Sequence, residues 1–231
     1  GKADMVTMAR SLIADPELII KAKEGHSDDV TPCIKCMRCH DSTVYGHHFQ
    51  CSVNPKAGLG ATIHKMVECP KTTKKVAVVG GGPAGMYAAL TAVQRGHQVT
   101  LFEASGKLGG TLHKAGYFSF KYPVKEYMEF LIHQVGKYEI DVRLNTKADK
   151  KMVEGYDHVI VAVGAKPFAL PVPGAEQVPL AIDVLGKEDT LGDDVIIIGG
   201  GQVGIEIGLH FVEKGKRLPI VEMQSELVPD A

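Results

Sequence analysis

Residues 76–85 read VAVVGGGPAG, a run of apolar residues that ends in a cluster of glycines. A short β-branched run predicts a buried strand, and the apolar residues that follow, at Met86, Leu90 and Val93, predict a helix. A strand, a glycine-rich turn and a helix in this order are the first parts of a βαβ unit. The sequence therefore predicts an α/β fold built around a parallel sheet.

The same pattern occurs a second time, 119 residues further along the chain, where residues 195–204 read VIIIGGGQVG. Both copies fit the spacing G-x-G-x-x-G, and each has a glutamate 23 residues after its first glycine. In dinucleotide-binding folds the first glycine permits a tight turn, the second leaves room for a pyrophosphate, and the third lets the helix approach the strand. The predicted cofactor-binding residues are Gly80, Gly82, Ala84, Gly85 and Glu103 in the first copy and Gly199, Gly201, Gly204 and Glu222 in the second.

Two dinucleotide sites in one chain predict a flavin enzyme, with FAD in the first copy and a nicotinamide cofactor in the second. The two glutamates would accept hydrogen bonds from ribose hydroxyls. A carboxylate at this point repels the 2′-phosphate of NADPH, so Glu222 favours NADH, while Lys216 and Arg217 nearby keep NADPH as an alternative. The small residues after a further predicted strand, including Gly164, indicate that the chain passes close to the first cofactor.

Four of the five cysteines lie in a short stretch ahead of the first glycine loop, at Cys33, Cys36 and Cys39 and, after eleven intervening residues, at Cys51. Three closely spaced thiolates and a fourth further on are typical of iron–sulfur ligation, and we predict that they hold a [4Fe–4S] cluster. A structural zinc, which usually takes two CxxC pairs, and disulfides, which need an oxidising compartment, remain as alternatives. We expect no role for Cys69.

The composition excludes several classes of partner. A formal net charge of −1 over 231 residues leaves no broad basic field for nucleic acid. The sequence contains no signal peptide and no long apolar segment, so we expect a cytoplasmic protein without a membrane partner. We expect a small-molecule substrate, and the sequence leaves a homo-oligomer open.

Periodicity predicts further elements on both sides of the glycine loops. We predict strands over 4–8, 76–79, 99–102, 140–144, 158–163, 195–198 and 218–221, a helix capped at Asp15-Pro16 that runs to Lys23, and an amphipathic helix over 123–136. Residues 26–70 have weak periodicity, and we predict a loop that metal rather than an apolar core holds in place.

The order of these motifs resembles a known group of flavoenzymes. Residues 4–16, with Asp4-Met5-Val6, Ala9-Arg10 and Leu12-Ile13-Ala14-Asp15-Pro16, resemble the last barrel strand and helix of the old yellow enzyme family. The cysteine set, followed by Cys51-Ser52-Val53-Asn54-Pro55 and two nucleotide folds, is similar to the iron–sulfur branch of that family. This branch includes 2,4-dienoyl-CoA reductase, 2-enoate reductase and trimethylamine dehydrogenase.

The resemblance implies an FMN-binding (β/α)8 barrel, a [4Fe–4S] cluster beside it, and FAD and NAD(P)H domains after it. It implies that Cys33, Cys36, Cys39 and Cys51 ligate the cluster, that Arg10 contacts the FMN phosphate, although Ala9 replaces the usual glycine, and that Gly109 and Gly110 pass the FAD. We accordingly expect the last βα unit of the barrel at 1–30, the cluster segment at 31–70, the first half of a three-layer ββα Rossmann-like FAD domain at 75–190, and the start of the NAD(P)H domain at 191–231.

The implied function is an NAD(P)H-dependent reductase of activated C=C bonds in enoate or enoyl-CoA substrates, with electrons passing from FAD through the cluster to FMN. An amine dehydrogenase with the opposite flow, an electron-input module like the small subunit of glutamate synthase, and a zinc-stabilised binding protein remain as alternatives. We interpret the chain as an internal piece of a longer protein. We therefore expect no catalytic residue in it and no turnover by the piece alone.

Overall fold

The apolar run at 76–79 forms the centre of a parallel sheet in the computed structural model of the chain, which describes residues 2–63, 68, 70–169 and 171–228. Its strands are β1 (Lys75–Val79), β2 (Gln98–Phe102), β3 (Ile140–Arg143) and β4 (His158–Val161), in the order β3-β2-β1-β4. Neighbouring strands are parallel throughout. Val78 and Leu101 are fully buried on the two central strands, as expected for a parallel sheet covered by helices.

Helices precede and cover this sheet. They are α1 (Arg10–Ala14), α2 (Leu18–Lys23), α3 (Arg38–Val44), α4 (Pro83–Gln94), α5 (Leu112–Ala115) and α6 (Tyr122–Lys137). The predicted amphipathic face of α6 is confirmed, because Tyr127, Leu131 and Val135 are buried in the core shared with α4 and the sheet. In the described part of the chain, no helix has the length and apolar character that crossing a membrane requires.

The contacts divide the chain into two units, Gly1–Gly164 and Ala165–Ala231. The second unit contains β5 (Ile197–Ile198), α7 (Gln202–Glu213) and β6 (Ile220–Val221), with β5 and β6 parallel. Ile197, Ile207 and Phe211 form its buried core. The strands are shorter than the predicted 195–198 and 218–221. Pro219 lies within the second predicted strand and has no N–H to donate to the ladder.

The predicted strand over 4–8 is wrong. A strand is stable only with a hydrogen-bonded neighbour, and none of the described residues pairs with this segment. Met5 and Val6 are accordingly 86% and 74% exposed. The helix predicted after Asp15-Pro16 corresponds to α2, which begins at Leu18 and ends at Lys23 as expected. Gly25, two residues later, has φ +81° and turns the chain away from the helix.

The prediction that residues 26–70 form a loop without an apolar core is also wrong, whereas binding of a metal cluster in this stretch stays a prediction. This stretch contains a 3-10 turn at Ser27–Asp29 and the helix α3. Val53 is 3% exposed and belongs to the same apolar core as the helices α4 and α6. Sequence periodicity missed this packing because Val53 is an isolated apolar residue in its segment. Cys69 and residues 64–67 lie outside the described residues.

Candidate functional site

The first glycine loop connects β1 to α4, and three glycines of the motif have three different surroundings. Gly80 has φ +110°, and a Cβ there would lie 2.3 Å from the carbonyl oxygen of Ala162. A Cβ on Gly85 would lie 1.8 Å from the carbonyl oxygen of Gly80, whereas a Cβ on Gly82 would meet nothing within 4 Å. The loop therefore turns at its first glycine, packs at its third, and is open at its second, as the pattern predicts.

The second loop, between β5 and α7, repeats this geometry. Gly199 has φ +109°, and a Cβ on Gly204 would lie 1.9 Å from the carbonyl oxygen of Gly199. Gly201 faces open space, like Gly82 in the first copy. Both helices begin directly after the open glycine, so free N–H groups at the helix start point to the space beside it. Binding of a dinucleotide at either loop stays a prediction.

Each predicted ribose-binding glutamate is held by backbone N–H groups of its own loop. Glu103 Oε2 accepts a hydrogen bond from Gly81 N at 2.7 Å, and Oε1 accepts one from Ser105 N at 2.7 Å. Glu222 repeats this with Gly200 N at 2.6 Å and Gln224 N at 2.9 Å. Each oxygen keeps capacity for a second bond, which leaves acceptors for ribose hydroxyls.

The same hydrogen bonds keep both carboxylates charged. Burial acts to raise the pKa of Glu103, but the hydrogen bonds from Ser105 and Gly81 outweigh it, and the pKa lies below its ordinary value. For Glu222, hydrogen bonds from Gln224 and Gly200 lower the pKa. Each loop therefore presents a fixed negative charge next to its open glycine.

The Gly109-Gly110 segment lies against the first loop. Gly109 N donates to the Gly81 carbonyl at 2.9 Å, and a Cβ on Gly110 would lie 2.9 Å from the Cα of Gly82. Both glycines have positive φ, +116° and +53°, which L side chains rarely adopt. The structure thus brings this segment and the open side of the loop together, as expected for a chain that passes the same ligand.

Two further predicted residues lie at the carboxyl end of the sheet, where parallel α/β folds bind ligands. Gly164 follows β4, has φ +74° and faces open space. Its neighbour Ala162 contacts the first loop at Gly80. Ala84 is exposed in the first turn of α4.

The four predicted cluster ligands line a single cavity. Its walls are Cys33, Cys36, Cys39 and Cys51 together with Arg10, Ile34, Met37, Ser52 and Val53. All four cysteines are free thiols, so no disulfide joins any two of them. Lys35 and Met37, on either side of Cys36, have φ +57° and +60°, unusual for residues other than glycine. The chain therefore turns sharply at both flanks of Cys36, a type of backbone strain that clusters at functional sites.

The ligand set that we predict at this cavity consists of four thiols. Across the described residues, no group of three or more Cys, His, Asp or Glu side chains is arranged to hold a single ion. A tetrahedral zinc would need four ligand atoms within about 2.3 Å of one point. The four thiols surround a shared cavity, and their ligation of a [4Fe–4S] cluster stays a prediction, with a structural zinc as the alternative.

A buried carboxylate and a side-chain amide fix the two ends of the cysteine segment, residues 29–54, near the end of α1. Asp15 is 3% exposed, and its Oδ2 accepts hydrogen bonds from Lys21 Nζ at 2.7 Å and Thr31 N at 2.8 Å. On the other side, Asn54 Nδ2 donates to the Ile13 carbonyl at 2.8 Å. Burial acts to raise the pKa of Asp15, but the bonds from Lys21 and Thr31 lower it below its ordinary value. Sequence analysis interpreted Asp15 only as a helix cap and missed this role.

The cysteine segment is also docked on α6. Asp29 accepts hydrogen bonds from Lys137 Nζ at 2.6 Å and Gln134 Nε2 at 2.8 Å, and both bonds lower its pKa. Lys35 Nζ donates to Tyr122 Oη at the opposite end of the helix and lies 4.5 Å from the centre of that ring. No sequence pattern signals these contacts, because they join residues 87 to 108 positions apart.

Arg10 is exposed and lies at the cysteine cavity. Its Nη1 donates to Met37 Sδ at 3.1 Å, and the side chain forms part of the cavity wall. The structure thus places its positive charge beside the four thiols. Contact with an FMN phosphate stays a prediction.

The sequence from residue 74 to residue 231 matches the family described as pyridine nucleotide-disulphide oxidoreductase. The chain belongs to this family. The matched range holds both glycine loops, which confirms the predicted Rossmann-like fold and the prediction of an oxidoreductase. Membership implies binding of FAD and NAD(H).

Relatives extend the likeness to the whole chain. It is 40% identical to an NADH oxidase of Thermoanaerobacter brockii over 100% of this chain and 37% of the relative. It is 38% identical to a cinnamate reductase of Clostridium sporogenes over 99% of this chain and 34% of the relative. A solved 2-naphthoyl-CoA reductase complex superposes with a TM-score of 0.92 at 31% identity, covering 100% of this chain and 36% of that chain.

These likenesses confirm the resemblance to the enoate reductase branch of the old yellow enzyme-like flavoenzymes. The chain spans about a third of the length of the curated relatives it matches.

Proposed function

We propose that this chain is the electron-input part of an NAD(P)H-dependent iron–sulfur flavoenzyme that reduces the activated C=C bond of an enoate or enoyl-CoA substrate. The observation that carries the proposal is the cavity lined by Cys33, Cys36, Cys39 and Cys51, which belongs to the same unit as the first glycine loop. Names of the relatives, an NADH oxidase and a cinnamate reductase, fit this reaction class.

The cofactors supply the redox chemistry: the nicotinamide gives a hydride, the flavins accept or give electron pairs, and the cluster carries one electron at a time. The chain's own residues bind and orient them. At the first loop, the open position Gly82 and the start of α4 would hold the FAD pyrophosphate, with Glu103 on the ribose. Gly109, Gly110 and Gly164 border the same space.

The second loop would bind the nicotinamide dinucleotide. Gly201 leaves the space for its pyrophosphate, and Glu222 is a fixed acceptor for ribose hydroxyls. Because the pKa of Glu222 is lowered, its carboxylate is charged at neutral pH and repels a 2′-phosphate. We therefore propose NADH rather than NADPH as the donor.

The four thiols would hold the [4Fe–4S] cluster as thiolates, with the positive charge of Arg10 beside them. Asp15 and Asn54 fix both ends of the cysteine segment, and Val53 anchors it in the apolar core. The cluster site is therefore built into the unit that binds FAD. FMN on Arg10, a cytoplasmic location, a small-molecule substrate, and the lack of nucleic-acid and membrane partners remain parts of the proposal.

The full-length gene product that contains this chain, purified without oxygen, tests the proposal. NADH should be oxidised with an artificial acceptor, and cinnamate should be reduced. A Cys39→Ser variant should keep NADH-dependent reduction of an artificial dye and lose reduction of cinnamate. Cys69→Ser, a cysteine that we assign no role, is the matched control and should keep both activities.

Three results would contradict the proposal. Cinnamate reduction at the wild-type rate in Cys39→Ser would exclude the cluster from the electron path. Failure of the protein to oxidise NADH with any artificial acceptor would show that it is not an NADH-dependent oxidoreductase. Reduction of the protein by trimethylamine instead of NADH would assign it to the amine dehydrogenases.

A further inference from the structure

Cys36 differs from the other three cysteines of the cavity. It is exposed, whereas Cys33, Cys39 and Cys51 are half-buried. Its Sγ–H donates to Ser52 Oγ at 3.2 Å. Among the residues that line the cavity, Ser52 and Arg10 carry the only polar side chains other than the cysteines. Arg10 Nη1 donates a hydrogen bond to Met37 Sδ. Ser52 Oγ, in contrast, contacts the sulfur of Cys36.

The direction of this hydrogen bond must reverse when the cysteine binds iron. A thiol can donate, but a thiolate ligand has no proton and only accepts. A serine hydroxyl both donates and accepts, and Ser52 makes no second hydrogen bond with any described residue. Its O–H is therefore free to rotate toward the sulfur.

The backbone holds the hydroxyl in place on the cavity wall. Ser52 lies between the predicted ligand Cys51 and Val53, which is buried in the core at 3% exposure. The following residue, Asn54, is fixed by its bond to the Ile13 carbonyl. A contact held on both sides needs little further ordering to form.

We propose that Ser52 Oγ–H donates to the ligating sulfur of Cys36 and raises the reduction potential of the cluster. The proposal rests on the proposed function, because it requires a cluster on Cys36. Addition of one electron increases the negative charge on the sulfurs, so a donated hydrogen bond stabilises the reduced cluster more than the oxidised one. No covalent bond forms or breaks and no proton is transferred. Ser52 is thus a positioning residue that favours acceptance of electrons from the flavin side.

The test is an anaerobic redox titration of the full-length gene product with dithionite, followed by electron paramagnetic resonance of the reduced cluster. Ser52→Ala should lower the equilibrium constant for cluster reduction about tenfold, a shift of about −59 mV for one electron. Ser52→Thr keeps the hydroxyl and should stay within about threefold of the wild type. Thr43→Val is the matched control, because Thr43 Oγ1 donates to the Cys39 carbonyl and not to a sulfur.

The outcomes separate this proposal from the function on which it rests. Wild-type protein without iron would overturn the proposed function itself. A Ser52→Ala protein with full iron and the wild-type midpoint would overturn the role of Ser52 alone. If the Ser52→Ala variant loses iron, the same redox titration of Ser52→Gly provides a second measurement. Loss of iron from both variants would make Ser52 a structural residue and would also overturn the proposal.

Discussion

At the scale of single residues, the two loops tolerate a methyl group at one glycine and exclude it at another. Gly82 and Gly201 face open space, whereas Gly85 and Gly204 lie directly against a backbone carbonyl of their own loop. The spacing of the glycines predicts these roles, because only a few backbone geometries join a parallel strand to a helix so tightly. The hydrogen bonds that Glu103 and Glu222 accept from the loop N–H groups could not be predicted, since they depend on side-chain orientation.

Gly85→Ala should therefore reduce the stability of the fold, whereas Gly82→Ala should reduce the binding of FAD. The methyl group of Gly85→Ala would lie 1.8 Å from the Gly80 oxygen, and we expect a loss of about 3 kcal/mol or more in the free energy of unfolding. Gly82→Ala should fold normally but weaken FAD binding at least about tenfold, or about 1.4 kcal/mol. Urea unfolding and flavin titration of the full-length gene product measure the two quantities.

The second loop offers the control for this pair. Gly201→Ala has the same open surroundings as Gly82→Ala and should weaken NADH binding while leaving FAD bound. Equal loss of FAD from both variants would contradict the assignment of one cofactor to each loop.

Asp15→Asn tests the buried carboxylate behind the cysteine segment. The lowered pKa means that the folded chain binds this proton more weakly than the unfolded chain. The stability contributed by the carboxylate is therefore present above the unfolded pKa and is lost as the pH falls through the folded pKa. We expect Asp15→Asn to be less stable than the wild type at pH 7 by about 1–3 kcal/mol.

Because the wild type loses this contribution in acid, the difference in stability between the two proteins should narrow below the ordinary carboxyl pKa of 3.8. Urea unfolding between pH 3 and pH 7, followed by circular dichroism, is the measurement. A constant gap over this range would contradict the role of the charge.

At the scale of elements, segments that have no visible relation in the sequence pack into one apolar core. The strands and helices around the glycine loops could be predicted because their periodicity reflects burial by near neighbours. The packing of Val53 could not, because it depends on contacts with distant segments. The wrong strand over 4–8 has the same cause: its propensity is real, but no strand pairs with it among the described residues.

Docking of the cysteine segment on α6 predicts that this segment opens locally when the Asp29 contacts are removed. Asp29→Ala removes the acceptor for Lys137 and Gln134. Lys137 is 44% exposed, so the effect on global stability should stay within about 1 kcal/mol. Local opening should increase more, and we expect faster tryptic cleavage at Lys35 and Arg38 in the apo chain.

Glu129→Ala is the control, because it breaks a pair with Lys125 within α6 and leaves the cysteine segment untouched. Equal cleavage rates in the Asp29→Ala and Glu129→Ala variants would show that the docking contact does not hold the segment.

At the scale of the whole molecule, β4 is an edge strand, and no strand among the described residues pairs with its outer side. All four residues of β4 are exposed, and Val161 is 71% exposed. An apolar edge strand offers unpaired backbone groups and promotes association. We expect Val161→Lys to reduce concentration-dependent self-association of this chain, measured by light scattering after size-exclusion chromatography.

Met223→Lys serves as the comparison, since Met223 is 96% exposed and lies outside any strand. It removes a similar apolar surface and should leave self-association unchanged. A similar decrease in both variants would point to general surface hydrophobicity rather than to the edge of the sheet.

We propose that four thiols around one cavity hold an iron–sulfur cluster in the same unit as the predicted FAD site. Quantification of iron, acid-labile sulfide and flavin in the anaerobically purified full-length gene product tests it most directly. We predict about four irons and about four sulfides per chain, with FAD and FMN, and loss of the iron in Cys39→Ser but not in Cys69→Ser. A colourless protein without iron, or one that holds a single zinc ion, would contradict the claim.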